Sequence, residues 1–274
     1  MIDKDLSNKE YHEHPSYSSS DVKAVASSTI YHWKNAVRKE SSAFDLGSAV
    51  HAMLLEPEKN LVTQGPETRR GKDWKDLKDA TDFAGKILLP KKEYHLAESM
   101  SQSAMFTEHV NQLLTDKLLV AEANFFVHDK DSGLDLKCRP DGLLAHKRTM
   151  FDIKTCQDAS PTGFGKAVRD YGYDIQASFY KHVMALEGIP IKDFLFICIE
   201  KTNPFIVQVH KLSDEYLNHA HVRMTETLKR IKLADLNQDY STGWPEVNTI
   251  PLPSGCKTEV TELLTISQCR GATH

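Results

Sequence analysis

Apolar and polar residues alternate through Leu134, Leu136 and Cys138, the period of a half-buried strand. Pro140-Asp141-Gly142 interrupts that run and predicts a backbone bend. The polar stretch Ala145 to Thr149 has the length of a hairpin connection. Met150 to Thr155 then resumes as a second strand. Its two-residue period sends Asp152 and Lys154 to one face, and Phe151 and Ile153 to the other.

The remaining elements follow from the same patterns. Residues 1–17 are polar and read as a loosely docked or disordered segment. Ser18-Ser19-Ser20-Asp21 offers N-caps for a helix to about Asn35, with Val22, Val25, Ala26, Thr29, Ile30 and Trp33 as its apolar stripe. Lys34, Arg38 and Lys39 at its end read as a solvated helix terminus, which cations favour. Phe44 to Glu56 predicts an apolar helix stopped by Pro57. Gln64 to Lys78 reads as a polar connection, and Thr81 to Leu89 and Glu93 to Leu114 as two helices separated by Pro90. Leu118 to His128 reads as one strand. Ser160-Pro161 caps a short helix, Tyr171-Gly172-Tyr173 breaks it, and a second helix runs from Asp174 to Glu187. Phe194 to Glu200 is nearly continuously apolar, as in a central strand covered on both faces; Pro204 to Leu212 alternates and pairs with it antiparallel. Ser213-Asp214-Glu215 caps a long amphipathic helix ending near Leu233. Strands interleaved with helices predict an α/β fold with a mixed, bent central sheet flanked by helices.

The 274 residues are 40% hydrophobic and 26% charged, which suits a globular chain with one sizeable core. With a net charge of -4, any nucleic-acid surface has to be a local basic patch. No apolar run is long enough to span a membrane, and Met1 to Glu10 lacks the apolar core of a secretion signal. Cys138, Cys156, Cys198, Cys256 and Cys269 show no short pairing, which suits a reducing cytoplasm.

The chemistry gathers at the bent strands. Asp141 and Asp152 bring two carboxylates together with the Lys154 ammonium, and such carboxylates are tolerated when a cation sits between them. Hard oxygen ligands suit Mg²⁺, with Mn²⁺ as a substitute. A lysine beside the metal orients water and stabilises charge on a phosphate, so the residue types point to phosphodiester hydrolysis. An Asp-x-Lys triplet alone also fits an ordinary surface hairpin; the upstream Pro140-Asp141 on a paired strand shifts the balance.

Pro140-Asp141, ten residues, then Asp152-Ile153-Lys154 resembles the PD-(D/E)xK nuclease signature. Gln176 and Tyr180, on one helical face, resemble the Gln-x-x-x-Tyr motif of its RecB-like branch. The wording Gly47-Ser48-Ala49-Val50-His51, with Met53-Leu54-Leu55-Glu56-Pro57, is similar to RecE-like (exonuclease VIII) nuclease domains, whose upstream histidine binds metal. The similarity runs from about Tyr17 to Pro253. It implies a single PD-(D/E)xK exonuclease domain over residues 18–253, a polar segment 1–17 before it and a tail 254–274 after it. It further implies that Asp141, Asp152, His51 and the Ile153 carbonyl hold one or two metals, and that Lys154 orients the attacking water. Glu122 corresponds to a glutamate used at about this place by lambda-exonuclease-like members, or is simply a strand residue. Gln176 and Tyr180 position DNA or water, or else pack the core. The compact C-terminal cysteine group of iron–sulfur RecB-like nucleases has no counterpart here.

The activity implied is Mg²⁺-dependent 5′→3′ exonucleolysis of double-stranded DNA ends. A RecT-like single-strand annealing protein would be the partner, and the nuclease would form a homo-oligomeric ring, with a tetramer favoured and a trimer as the alternative. Endonuclease activity and a catalytically silent DNA-binding role are the competing readings. Basic candidates for DNA contact are Arg69, Arg70 and Lys72, with Trp74 placed to stack on a base, unless that stretch is a solvated loop with a half-buried Trp. Lys166 and Arg169 are candidates for the scissile strand, or are solvated surface residues.

Overall fold

The computed structural model describes residues 2, 3, 6, 8–36, 42–244, 247, 249 and 250. Arg38, Lys39 and the tail 254–274 lie outside them. The chain divides into two units, Met1–Ser241 and Thr242–His274. Unit one begins with β1 (Ile2–Asp3), α1 (Asn8–Glu13), α2 (Ser19–Ser27), α3 (Ile30–Lys34) and α4 (Ser42–Leu55). β2 (Val62–Gln64), α5 (Lys72–Phe83), β3 (Ile87–Leu89), α6 (Lys91–Phe106) and α7 (Glu108–Leu114) follow. Next come β4 (Val120–Ala121), β5 (Asn124–Asp129), β6 (Leu134–Cys138), β7 (Gly142–Leu144) and β8 (Thr149–Cys156). α8 (Pro161–Tyr171), α9 (Tyr173–Leu186), β9 (Asp193–Glu200), β10 (Val207–Lys211) and α10 (Asp214–Asn237) complete it.

The main sheet has the order β10-β9-β8-β7-β4. β8 and β9 run parallel, joined through α8 and α9, and the other neighbours are antiparallel. β1-β5-β6 make a second sheet, and β2 pairs parallel with β3. The expected α/β architecture, a mixed sheet between helical layers, is the one observed. Met150 on β8, with Phe194, Phe196 and Cys198 on β9, faces a core shared with α2, α8, α9 and α10. Phe151, Ile153, Ile197 and Ile199 face the opposite core, built with α4, α6 and α7. The two-residue period therefore aims Asp152 and Lys154 toward the α9 side.

Several elements differ from the sequence expectation. The bend at Arg139-Pro140-Asp141 does more than kink one strand: β6 pairs with β5 in one sheet and β7 with β8 in another. Gly142 is required after it, because a Cβ there would fall 2.0 Å from Phe151 Cζ. The strand expected over Leu118–His128 is split at Glu122, which adopts φ 50 and donates its N–H to the Asp141 carbonyl at 3.2 Å. The helix expected over 18–35 breaks at Ser28-Thr29, where the Thr29 hydroxyl recaps α3 by accepting from His32 N–H. The polar connection expected to reach Lys78 ends at Lys72, where α5 begins, and Ile87–Leu89 is a strand rather than a helix end. Three apolar residues carry too little periodicity to separate the two states.

Residues 8–17 are docked rather than loose. Lys137 Nζ donates to the carbonyls of Tyr11 at 2.6 Å and His14 at 2.7 Å, and Tyr17 exchanges backbone bonds with β6. Backbone and ammonium hydrogen bonds hold this segment, so its apolar pattern gave no sign of docking. Tyr11 is buried there with Arg139 over its ring.

Candidate active site

Asp152 is 3% exposed, and Lys154 Nζ forms an ion pair with its Oδ2. On α9, Gln176 Nε2 donates to Asp152 Oδ1, so both carboxylate oxygens are held. One turn later the Tyr180 hydroxyl donates to the Arg139 carbonyl at 3.2 Å, fastening the bend that precedes Asp141. Burial keeps the Tyr180 phenol protonated, as that donor role requires. Gln176 and Tyr180 thus share a helical face, and in this structure both hold protein groups of the site.

Asp141 sits at the start of β7. Its Oδ2 accepts the Ile153 N–H at 2.6 Å, tying it across to β8. His51, on α4, reaches the same place from the opposite layer. Its Nδ1 stands 3.4 Å from Asp141 Oδ2, and its Nε2 lies 2.9 Å from the Ile153 carbonyl oxygen. A carbonyl only accepts, so Nε2 carries a hydrogen, and Nδ1 is the nitrogen turned toward Asp141. At that separation a proton or a cation between the two atoms holds them together. The Ile153 carbonyl expected as a metal ligand is here the acceptor for His51. Gly47, one turn before His51 on α4, has room for a side chain: a Cβ there would make an ordinary 3.6 Å contact with Thr155 Oγ1.

Glu122 completes the cluster. Ligand atoms of His51, Glu122 and Asp141 lie within 4.8 Å of one another. Burial, then Asp141, pushes the Glu122 carboxyl well above the usual range. Burial, then Asp152, likewise raises Asp141, against the opposing pull of His51 and Lys154. Crowded carboxyls that resist ionising together fit a divalent cation, and carboxylate oxygens with an imidazole nitrogen suit Mg²⁺ or Mn²⁺. The buried Gln176 Oε1, without a hydrogen-bond partner among the described residues, adds an acceptor beside Asp152. Burial opposes the charge on Lys154, but Asp152 and Asp141 outweigh it and hold the ammonium above its ordinary value. Lys154 is therefore a cation here, suited to orient water and bind phosphate oxygen.

The basic candidates divide. Arg69 pairs with Asp45 at 2.8 Å and Glu93 at 2.6 Å, knitting α4 to α6. Trp74 corrects the expectation of a stacking platform: its ring is buried on α5, beneath Arg69 and against Gly65. Arg70 and Lys72 are exposed, as are Lys166 and Arg169 on one side of α8. Among the described residues, none of these four is hydrogen-bonded or ion-paired to Asp141 or Asp152.

Two neighbours of the site escape sequence reasoning. Tyr173 opens α9, and Lys154 Nζ lies 4.7 Å from its ring centroid. Lys23 on α2 lies 5.9 Å from the same ring. Burial and the nearby Lys154 lower the Lys23 ammonium to about 8. The Tyr171-Gly172-Tyr173 break and a charge beside an apolar stripe were their only signals.

A crystal structure of a candidate exonuclease from Eubacterium rectale resembles this chain with a TM-score of 0.61 at 16% identity. The match covers 95% of this chain and 98% of that one, and at that identity it establishes a shared fold. A phage-related exonuclease from Haemophilus somnus gives a TM-score of 0.37 at 11% identity, over 83% of this chain and 98% of its own. No curated protein matches the chain. Residues 16–242 match the PDDEXK-like domain of unknown function DUF3799, and this span includes Asp141, Asp152, Lys154, His51 and Glu122. The chain belongs to that PDDEXK-like family.

Proposed function

We propose that this protein is a Mg²⁺-dependent 5′→3′ exonuclease of double-stranded DNA that leaves 3′ single-stranded tails for recombination by strand annealing. The observation that carries the nuclease reading is the meeting of Asp141 with Asp152 and Lys154 across two paired strands, closed by His51 and Glu122. The RecE-like wording around His51 supports the polarity and the recombination role. The Eubacterium rectale fold neighbour is described with the same class of activity.

Asp141, Glu122 and His51 would hold the cation, with Asp152 beside them. Bound there, Mg²⁺ or Mn²⁺ supplies Lewis-acid polarisation of the scissile phosphate. Lys154 donates hydrogen bonds to the attacking water and a phosphate oxygen, and Asp152 fixes its ammonium in place. Gln176 fixes Asp152 in turn. Arg70, Lys72, Lys166 and Arg169 supply exposed positive charge for the DNA backbone. The RecE resemblance extends the proposal to a RecT-like annealing partner and a ring of identical subunits, a tetramer by preference, working in the cytoplasm.

Linear duplex DNA labelled at its 5′ or 3′ end, incubated with Mg²⁺ or EDTA, tests this. Early Mg²⁺-dependent release of the 5′ label, lost in Lys154→Ala, is expected. Early release of the 3′ label would reverse the polarity, and cutting of a closed circular plasmid would make the enzyme an endonuclease. DNA binding without digestion by the wild type would leave a silent relative.

A further inference from the structure

Resting on that nuclease reading, we propose that Lys23 is a second phosphate-binding cation of the site, taking a non-bridging oxygen of the DNA strand on which Lys154 acts. Lys154 comes from the sheet, on β8, and Lys23 from α2 in the helical layer that this face of the sheet meets; both ammoniums lie near the ring of Tyr173. That ring is fixed, lying 6.0 Å from Phe164 in a stacked arrangement and 5.8 Å from Phe196. α2 packs on α9 and α10, so the root of Lys23 is equally fixed.

The approach of Lys23 is shaped by Gly172. This glycine links α8 to α9 at φ +63, and a Cβ there would stand 3.1 Å from Lys23 Cγ and 3.2 Å from Cδ. The lysine stem therefore lies along bare backbone and delivers its ammonium to the Asp152–Lys154 side of the sheet. The two lysines differ in their counter-charge. Lys154 is ion-paired with Asp152, whereas Lys23 forms no ion pair among the described residues and feels Asp152 only at longer range. A half-buried ammonium beside another cation carries an electrostatic penalty, and a ring contact at 5.9 Å is near the limit of useful cation–π attraction. The missing charge is an anion, and the anion this site handles is a phosphodiester. Salt-sensitive contacts of this kind are made to the backbone of the strand rather than to its bases.

Lys23→Ala and Lys23→Arg test the proposal in the full-length protein, with a fluorescent duplex bound in Ca²⁺ and digested in Mg²⁺. Lys23→Ala should raise the Kd and KM roughly tenfold, the scale of a lost charge-assisted bond. It should reduce the slope of log Kd against log salt by about 1, as one phosphate contact fewer requires. Mn²⁺ affinity should not move, and Lys23→Arg should restore most of the binding. An alanine variant with wild-type Kd and salt slope would overturn the proposal. So would equal losses in both variants with an unchanged slope, which mark a packing role. Lys23→Met keeps the stem and replaces the alanine variant if that one melts early. Wild-type protein that neither binds nor cuts DNA would sink the nuclease reading itself, a result distinct from any Lys23 outcome.

Discussion

His51 Nδ1 faces Asp141 Oδ2 at 3.4 Å while the other ring nitrogen is spent on the Ile153 carbonyl at 2.9 Å. One imidazole thus joins α4 to β8 and turns its second nitrogen toward a buried carboxyl. In metal sites such an outer bond orients the ligand ring. His51→Ala should weaken Mn²⁺ binding about tenfold to hundredfold, judged by the usual loss when a ligand or its orienting partner is removed. Isothermal titration with Mn²⁺ measures this directly, and unchanged affinity would take His51 out of the metal shell.

Glu122 and Asp141 give the site a pH signature. Burial and mutual crowding raise both above ordinary carboxylate values. In the metal-free folded chain each holds its proton more tightly than in the unfolded chain. Its stabilising contribution is full below the unfolded pKa of about 4 and is lost as pH rises through the raised folded value. A cation replaces the proton, so the gain in melting temperature on adding Mn²⁺ should grow from about pH 5 to about pH 8. Melting curves with and without Mn²⁺ across that range provide the check. A gain that shrinks with pH would dissociate metal binding from these carboxyls.

Gln176 acts through Asp152. Gln176→Ala frees Asp152 Oδ1 in a buried place and should lower kcat about tenfold to hundredfold, for a lost positioning bond of about 1–3 kcal/mol. KM for DNA should change little. A variant that lost DNA affinity at constant kcat would place Gln176 on the substrate instead.

Gly142→Ala should destabilise the fold. Its Cβ would overlap the Phe151 ring, and overpacking of this kind costs about 1–3 kcal/mol. Urea denaturation reads the change as a lower midpoint; an unshifted midpoint would mean that the β7–β8 pair yields easily.

Trp74→Ala separates packing from DNA contact. Removing a buried aromatic costs about 3–5 kcal/mol, so the melting temperature should fall sharply. DNA affinity per folded molecule should stay at the wild-type level. Selective loss of affinity without loss of stability would restore Trp74 to the DNA surface.

Much of the strand that carries Asp152 and Lys154 was legible because its determinants are local. The placement of Asp152 and Lys154 on one face of β8 follows from strand period alone, and that of Gln176 and Tyr180 from helical period. Ser160 and Ser213 cap α8 and α10 as their positions predict, each accepting from a backbone N–H. Charge spacing misled where burial decided. Trp74 among lysines reads as a DNA platform in one dimension and is a packed ring in three.

The chain by itself determined the strands and helices that carry Asp152, Lys154, Gln176 and Tyr180, because side-chain periodicity and capping act over a few residues. Only the tertiary structure decided that His51 meets Ile153 from 102 residues away, and that Glu122 turns at φ 50 to join Asp141. It alone brought Lys23 to the ring that Lys154 occupies. Those meetings depend on how two helical layers close over the sheet, and long-range packing of that kind leaves no period in the sequence.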